Sequence, residues 1–115
     1  PDYFGYYVDN KKYEISDRLT IWLGVDYELW YKTNTPISIQ VLSSTHNDKE
    51  IEYIENFLDN KKINEISFEK YKNKYNTVFF YIKLEKEFFE SEDKKIIKEL
   101  TNIMNEIIEL LKEFR

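Results

Sequence analysis

The chain has 115 residues, about the size of one domain, and its 42% hydrophobic and 17% aromatic content excludes intrinsic disorder. The net charge of −5 argues against non-specific nucleic-acid binding, and the lack of cysteine excludes disulfides and thiolate metal sites. No apolar run is long enough to span a membrane and no signal-peptide pattern is present. We therefore expect a cytoplasmic protein without membrane contact.

The N-terminal segment contains an aromatic run followed by turn residues. Tyr3–Val8 favours a strand because aromatic and β-branched residues are enriched in strands. Asp9–Lys12 predicts a turn, since Asp and Asn tolerate turn conformations. Tyr13–Ile15 would then begin the return strand, so the pattern predicts an N-terminal hairpin.

The segment Arg18–Lys32 has the longest regular pattern in the chain. Every second residue from Leu19 to Tyr31 is apolar or aromatic, so these side chains would share the buried face of one strand. We predict a long central strand, with the alternative that its second half bends or becomes helical. Trp22 and Trp30 lie on the other, nominally polar face.

Two further elements follow a predicted turn at Thr33–Pro36. Apolar and polar residues alternate in Ile37–Leu42, which predicts another strand. Asn47 and Glu50 have the spacing of a capping box, the sequence mark of a helix start. Asp48–Asp59 has apolar residues at helical spacing and is predicted to be an amphipathic helix.

The C-terminal half contains one clear strand and one long helix. Ile63–Phe68 is ambiguous, and Lys70–Asn76 is predicted to be a polar loop or hairpin turn. Thr77–Glu85 has the alternation of a strand. Ser91 is a suitable N-cap for a helix that would extend to about Phe114 with a broad apolar face.

Together these elements predict an α+β fold with one mostly antiparallel sheet of about five or six strands and two amphipathic helices on one face. We expect residues 1–115 to form one domain, either free-standing or the C-terminal domain of a longer protein. The apolar stripe of the last helix is expected to pack on the domain's own sheet, with a homodimer contact as the alternative.

No catalytic motif stands out in the sequence. His46 precedes a predicted helix, but a catalytic serine would need both a base and an orienting acid. Asp26 and Glu28 would lie on one face of the central strand, where paired carboxylates can act as acid and base, although ordinary solvated residues have the same spacing. No acidic cluster has metal-ligand spacing, so neither a metal nor another cofactor is expected.

Two segments are candidates for binding a partner. The first is the predicted loop with interleaved basic and aromatic residues, which could contact phosphates and stack on bases, or simply be solvated. Its residues are Lys70, Tyr71, Lys72, Lys74 and Tyr75.

The second candidate lies on the central strand. Trp22 and Trp30 break its period-2 pattern, and Gly24 between them leaves room for a backbone or a flat ligand to approach closely. Exposed aromatic residues often anchor partners. We therefore predict that Trp22 and Gly24 line a functional surface, with Trp30 at its edge or in a cap over it. The alternative is that both tryptophans belong to a second small core.

One stretch of the chain resembles the C-terminal region of bacterial PD-(D/E)XK-superfamily nuclease-like proteins. The shared pattern is a Gly-aromatic strand, a Trp-hydrophobic-Gly strand, an aromatic-x-x-Trp pair and a Thr-Pro before the next strand. The matching residues are Gly5, Tyr6, Tyr7, Trp22, Leu23, Gly24, Tyr27, Trp30, Thr35 and Pro36. The resemblance implies a non-catalytic accessory domain of a defence-type nuclease, because the catalytic acids and lysine would lie upstream of this region.

The leading hypothesis is therefore a non-enzymatic binding module in bacterial or phage defence, with a protein or a nucleic acid as its partner. A second hypothesis is a small acidic phage-type inhibitor that blocks a host nuclease or another nucleic-acid enzyme. A third is an enzyme with a carboxylate site at Asp26 and Glu28.

Overall fold

A computed structural model describes residues 2–84 and 86–115 of the chain. The strands are β1 (Tyr3–Tyr7), β2 (Leu19–Asp26), β3 (Ser38–Ser43), β4 (Lys62–Ile63), β5 (Ile66–Lys72) and β6 (Val78–Ile82). The helices are α1 (Tyr27–Thr33), α2 (Asp48–Leu58) and α3 (Asp93–Leu111), with a 3-10 helix at Lys86–Glu90 between β6 and α3.

The six strands form one antiparallel sheet in the order β1-β2-β3-β6-β5-β4. Sequence neighbours pair in β1-β2-β3 and in β4-β5-β6, and the two groups are joined where β3 lies beside β6. The predicted α+β class with an antiparallel sheet is confirmed.

The two long helices α2 and α3 pack on one face of the sheet. Alternate residues of β2, β3 and β6 point to this face and join the apolar stripes of both helices in one core. Fully buried members of this core include Ile21, Val41, Ile54, Ile107 and Leu111. The predicted layer of two amphipathic helices is therefore confirmed.

The predicted central strand stops at Asp26, and α1 begins at the next residue. The Asp26 side chain accepts a hydrogen bond from the Leu29 N–H at 3.2 Å and so caps the helix. Leu29 is fully buried against Phe79 and Tyr81 on the sheet face opposite α2 and α3. The alternative of a helical second half is confirmed, and a third helix covers part of the second face.

The predicted N-terminal hairpin is wrong. The strand β1 pairs directly with β2, with Gly5 opposite Gly24, and Tyr13–Ile15 belongs to the connection between them. The side-chain amide of Asn10 holds this connection by donating to two backbone carbonyl oxygens, one of them on Ser16 at 2.9 Å. Long-range pairing with β2 therefore replaces the local return strand.

The start of α2 follows the prediction in part. Asn47 caps the helix by accepting from the N–H groups of Lys49 and Glu50. Glu50 does not complete the capping box, because its carboxylate binds the Arg18 guanidinium at 2.9 Å. This ion pair joins the start of β2 to the first turn of α2.

Three predicted boundaries shift in the C-terminal half. The strand β5 extends to Lys72, so the first three residues of the predicted loop Lys70–Asn76 are part of the sheet. The strand predicted over Thr77–Glu85 is β6, which covers only Val78–Ile82, and Glu85 lies outside the described residues. Glu92 instead of Ser91 occupies the N-cap of α3, without a side-chain cap hydrogen bond, and the helix ends at Leu111.

No helix in the described part of the chain is both long and apolar enough to cross a membrane.

Candidate functional site

The sheet face opposite α2 and α3 carries a cavity of about 270 Å³, called the aromatic pocket below. The strand register puts Trp22, Gln40, Leu42 and Phe79 on this face, where they line the pocket. The other walls come from β1, the start of α1, the β3–α2 connection and the turn between β5 and β6. The pocket therefore gathers side chains that are far apart in the sequence.

Trp22 is the largest side chain of the pocket and is only 5% exposed. A Cβ atom on Gly5 would lie 2.5 Å from its indole ring, and one on Gly24 would lie 2.9 Å from it. The close approach that Gly24 permits is therefore made by β1 and by the indole of the same chain. The Tyr3 ring meets the indole edge to face, with centroids 5.9 Å apart.

Asp26 lines the pocket where β2 ends. One of its carboxylate oxygens caps α1, and the other accepts from the Gln40 side-chain amide at 3.0 Å. Gln40 is buried and also donates to the Ser38 hydroxyl at 3.1 Å. Both Asp26 oxygens are thus held in fixed positions by hydrogen bonds from α1 and β3.

Glu28 lies on α1, so the prediction that it shares a strand face with Asp26 is wrong, although both carboxylates line the pocket. It accepts from the Tyr71 hydroxyl at 2.6 Å and from the Lys74 backbone N–H at 3.0 Å. Burial, together with the hydrogen bond to Glu28, raises the pKa of Tyr71 to about 12. Glu28 therefore fastens α1 to β5 and to the turn that follows it.

Asp2 joins the start of β1 to the turn between β5 and β6. Its carboxylate accepts from the Tyr75 hydroxyl at 2.5 Å and from the Lys74 ammonium at 3.3 Å. The hydrogen bonds from Tyr75 and Lys74 lower the pKa of Asp2. These contacts close one side of the aromatic pocket, which all three residues line.

The predicted basic and aromatic loop does not form one continuous surface. Its first part is strand, so Lys70 and Lys72 point to the side of α2, where the Lys70 ammonium binds Glu55 at 2.9 Å. Tyr71 points to the opposite side and reaches Glu28. Of the five predicted residues, Lys74 and Tyr75 line the aromatic pocket.

Trp30 lies apart from Trp22. It is 43% exposed on α1 and stacks on Tyr27, with ring centroids 6.4 Å apart. Neither ring is among the side chains that line the aromatic pocket. The two tryptophans therefore have different surroundings: Trp22 is buried in the sheet face, and Trp30 adds to an exposed aromatic surface.

The edge strand β1 is exposed along its whole length, with Phe4 as much as 74% exposed. Its Tyr7 side chain and that of Tyr3 line the pocket, whereas Phe4 and Tyr6 lie on the other face. The Tyr27 N–H donates to the Asp2 carbonyl oxygen, and the Val8 N–H donates to the Ile21 carbonyl oxygen. Asp2 and Val8 are therefore hydrogen-bonded positions of the pairing between β1 and β2. Because hydrogen-bonded and non-bonded pairs alternate, the backbone polar groups of Tyr3, Gly5 and Tyr7 point to the free edge.

Sequence reasoning missed several pocket residues. The alternation of Gln40 with apolar residues of β3 predicts only a strand, yet Gln40 is buried and donates to the Asp26 carboxylate. Asp2 has no sequence signal that links it to Tyr75. His46 also lines the pocket, where it is exposed and has a left-handed backbone φ of 56°.

The described residues contain no group of three or more His, Cys, Asp or Glu side chains placed to hold a metal ion. Comparison with protein-family models, with curated proteins and with solved structures gives no match to this chain. The resemblance to PD-(D/E)XK nuclease-like proteins therefore stays a prediction.

Proposed function

We propose that this chain is a non-catalytic binding module that holds an extended segment of a protein partner along β1. The observation that carries the proposal is the exposed edge of the sheet. The backbone groups of Tyr3, Gly5 and Tyr7 point outward from it, and such groups are a template for pairing with another strand. An added strand would supply the hydrogen bonds that this edge lacks within the sheet.

The edge also lacks the features that usually prevent strand addition. Natural edge strands are protected by lysine, proline, bulges or short length. The sequence of Tyr3–Tyr7 contains no charged residue and no proline, and it pairs with β2 residue for residue without a bulge. Its aromatic side chains would contact alternate side chains of a bound segment on both faces, which gives specificity in strand addition.

The charges favour a protein over a nucleic acid as the partner. The net charge of −5 gives no general attraction for phosphates. Two lysines of the predicted basic loop are already paired with acids, Lys70 with Glu55 and Lys74 with Asp2. Strand addition depends on backbone hydrogen bonds and aromatic contacts, which need no basic surface.

The resemblance to nuclease-like proteins supplies the biological setting of the proposal. It supports an accessory domain that joins a defence-type nuclease to a protein partner, or a stand-alone relative with the same role. The length and neighbours of the gene test this setting separately from the binding mode. An upstream nuclease region supports it, and a free-standing gene without nuclease neighbours contradicts it.

Two proline variants test the binding mode. Tyr7→Pro removes a backbone N–H that points to the free edge, so the fold should survive. Tyr6→Pro removes an N–H that points to β2, so the fold should be destabilised. Thermal unfolding of both variants shows, before any binding experiment, that the Tyr6 N–H faces β2 and that the Tyr7 N–H faces the free edge.

The binding experiment uses a phage-displayed library of random linear dodecapeptides, selected on the wild-type protein. Enriched peptides should lose binding to Tyr7→Pro and keep it for Tyr7→Thr, which alters the side chain but retains the N–H. Hydrogen exchange should show new protection at Tyr3, Gly5 and Tyr7. Failure to enrich peptides, equal binding to Tyr7→Pro, or protection confined to other strands would overturn the proposal.

Two further experiments test other partners for this edge. Sedimentation of the protein alone tests for a second copy of the chain, and gel shifts with DNA and RNA test for a nucleic acid. A dimer that Tyr7→Pro converts to a monomer identifies a second copy of this chain as the occupant. Tight nucleic-acid binding that does not depend on Tyr7 contradicts a protein partner.

A further inference from the structure

The aromatic pocket combines three features that favour a small charged ligand. It is concave, it is walled by aromatic rings, and it carries more carboxylates than cations. We propose that it is a binding site for a small organic cation of the alkylammonium class. Tyr3 and Tyr7 belong to both proposals, but the cation site uses their rings at the face of the sheet, whereas strand addition uses the backbone groups at the edge of β1.

The aromatic walls suit a cation. Five aromatic side chains line the pocket, and they come from β1, β2, β6 and the turn between β5 and β6: Tyr3, Tyr7, Trp22, Phe79 and Tyr75. Ring faces carry partial negative charge and attract ammonium groups, most strongly where water is excluded, and quaternary ammonium ions are commonly bound in aromatic cages. Trp22, the strongest of these ring types, is only 5% exposed and lies at the base of the site.

The charges of the lining residues have the same preference. Asp2, Asp26 and Glu28 contribute three carboxylates, whereas Lys74 contributes one ammonium group. That ammonium is already paired with Asp2 at 3.3 Å. The carboxylates of Asp26 and Glu28 therefore leave the pocket with a net negative charge. An anion would meet repulsion from both groups, and a neutral ligand would gain no charge–charge attraction from them.

The two carboxylates keep capacity for a ligand in spite of their hydrogen bonds. Each oxygen of Asp26 and Glu28 accepts one hydrogen bond from the described residues, and a carboxylate oxygen can accept two. The buried Gln40 amide fixes one Asp26 oxygen, so that group is oriented before a ligand arrives. A fixed acceptor loses little entropy on binding.

The size of the cavity limits the ligand. Pockets for drug-sized molecules measure about 300–1,000 Å³, and the aromatic pocket is slightly smaller at about 270 Å³. A choline-sized or butylammonium-sized ion fits this scale. The same chemistry is offered by a free amine and by a lysine side chain of a bound partner, and the experiment separates the two sources.

Tryptophan fluorescence provides a direct measurement. The chain has two tryptophans, and Trp30 is outside the pocket, so the Trp30→Phe protein reports on Trp22 alone. Choline should change the Trp22 emission in a saturable manner. Its neutral isostere 3,3-dimethylbutan-1-ol, and sodium chloride at equal ionic strength, should not.

Two matched substitutions assign the response to the pocket. Tyr3→Leu keeps an apolar side chain without an aromatic ring and should weaken choline binding by about 2-fold to 30-fold, the range of a lost cation–π contact. Tyr31→Leu removes an aromatic ring that is 89% exposed and outside the pocket, and it should leave the affinity unchanged. Circular dichroism of both variants checks that the fold is retained.

Butylamine and N-acetyl-lysine amide, titrated in parallel, distinguish the sources of the ammonium group. Binding of butylamine supports a free amine as ligand, and binding of the lysine derivative alone supports a partner's lysine. Three results would overturn the inference: a response to the neutral alcohol equal to that of choline, no response to any of the three cations, or equal choline affinities of the Tyr3→Leu variant and the wild-type protein.

Discussion

The indole ring of Trp22 lies against the backbone of Gly5 on the neighbouring strand, where no side chain larger than hydrogen fits. Gly5 stands opposite Gly24 in the register, so one glycine from each strand makes room for the same ring. This contact fixes β1 to the sheet by shape and at the same time forms the base of the aromatic pocket.

The first prediction is that Gly5→Ala destabilises the fold. The added Cβ would collide with the Trp22 ring and with the Leu23 carbonyl oxygen, so either the ring or β1 must move. Overpacking of this kind costs about 1–3 kcal/mol, which urea unfolding measures. Because a backbone atom is also involved, adding Trp22→Phe should restore only part of the loss. An unchanged unfolding midpoint would show that β1 does not lie against the indole.

The second prediction concerns the apolar stripe of α3. Ile107 is fully buried, so Ile107→Ala should cost about 2–5 kcal/mol in the free energy of unfolding. Leu100 is only partly buried against the same core and should cost less on substitution by Ala. The control is Ile97→Ala on the same helix, because Ile97 is 64% exposed. Equal effects at Ile107 and Ile97 would mean that α3 does not pack on the sheet through this stripe.

The third prediction is a dependence of stability on alkaline pH. The pKa of Tyr71 rises from 10.0 to about 12, chiefly through burial and then through its hydrogen bond to Glu28. The folded state thus favours the protonated phenol, and the stabilisation is complete below pH 10 and lost between pH 10 and about pH 12.

Urea unfolding of the wild type and of Tyr71→Phe across this pH range measures the effect. The variant should lose less stability than the wild type as the pH rises, because it lacks the phenol that titrates. Glu28→Gln keeps a hydrogen-bond acceptor and removes a charge that raises the pKa of Tyr71, so the loss of stability above pH 10 should be smaller and should end at a lower pH. Identical pH profiles for the wild type and Tyr71→Phe would rule out this linkage.

The fourth prediction is that the protein alone does not cleave nucleic acid. Asp26 and Glu28 are the candidate catalytic carboxylates, and the described residues contain no group of three or more His, Cys, Asp or Glu side chains that could hold a metal ion with them. Incubation with plasmid DNA and with single strands in Mg²⁺ or Mn²⁺ should leave both intact. Cleavage that disappears in Glu28→Gln, while the variant remains folded, would establish an enzyme in place of a binding module.

The sequence by itself determined most of the elements and the α+β class. Two local patterns in the sequence predict these elements: alternation in β2, β3 and β6, and helical spacing in α2 and α3. Each element has a large apolar face that must be buried, so few packing arrangements of the strands and helices are possible. The boundary at Asp26 was less certain, because Tyr27–Tyr31 continues the strand alternation and only the cap at Asp26 favours the helix.

Tertiary structure alone decided which strand edges and faces are covered. Periodicity shows that Trp22 and Gln40 can share a face, but their burial depends on α1, β1 and the β5–β6 turn, which are distant in sequence. The same holds for Asp2, whose contact with Tyr75 spans most of the chain. Side-chain periodicity records local backbone geometry, whereas a pocket is formed by long-range packing, so the aromatic pocket and the free edge of β1 have no local signature.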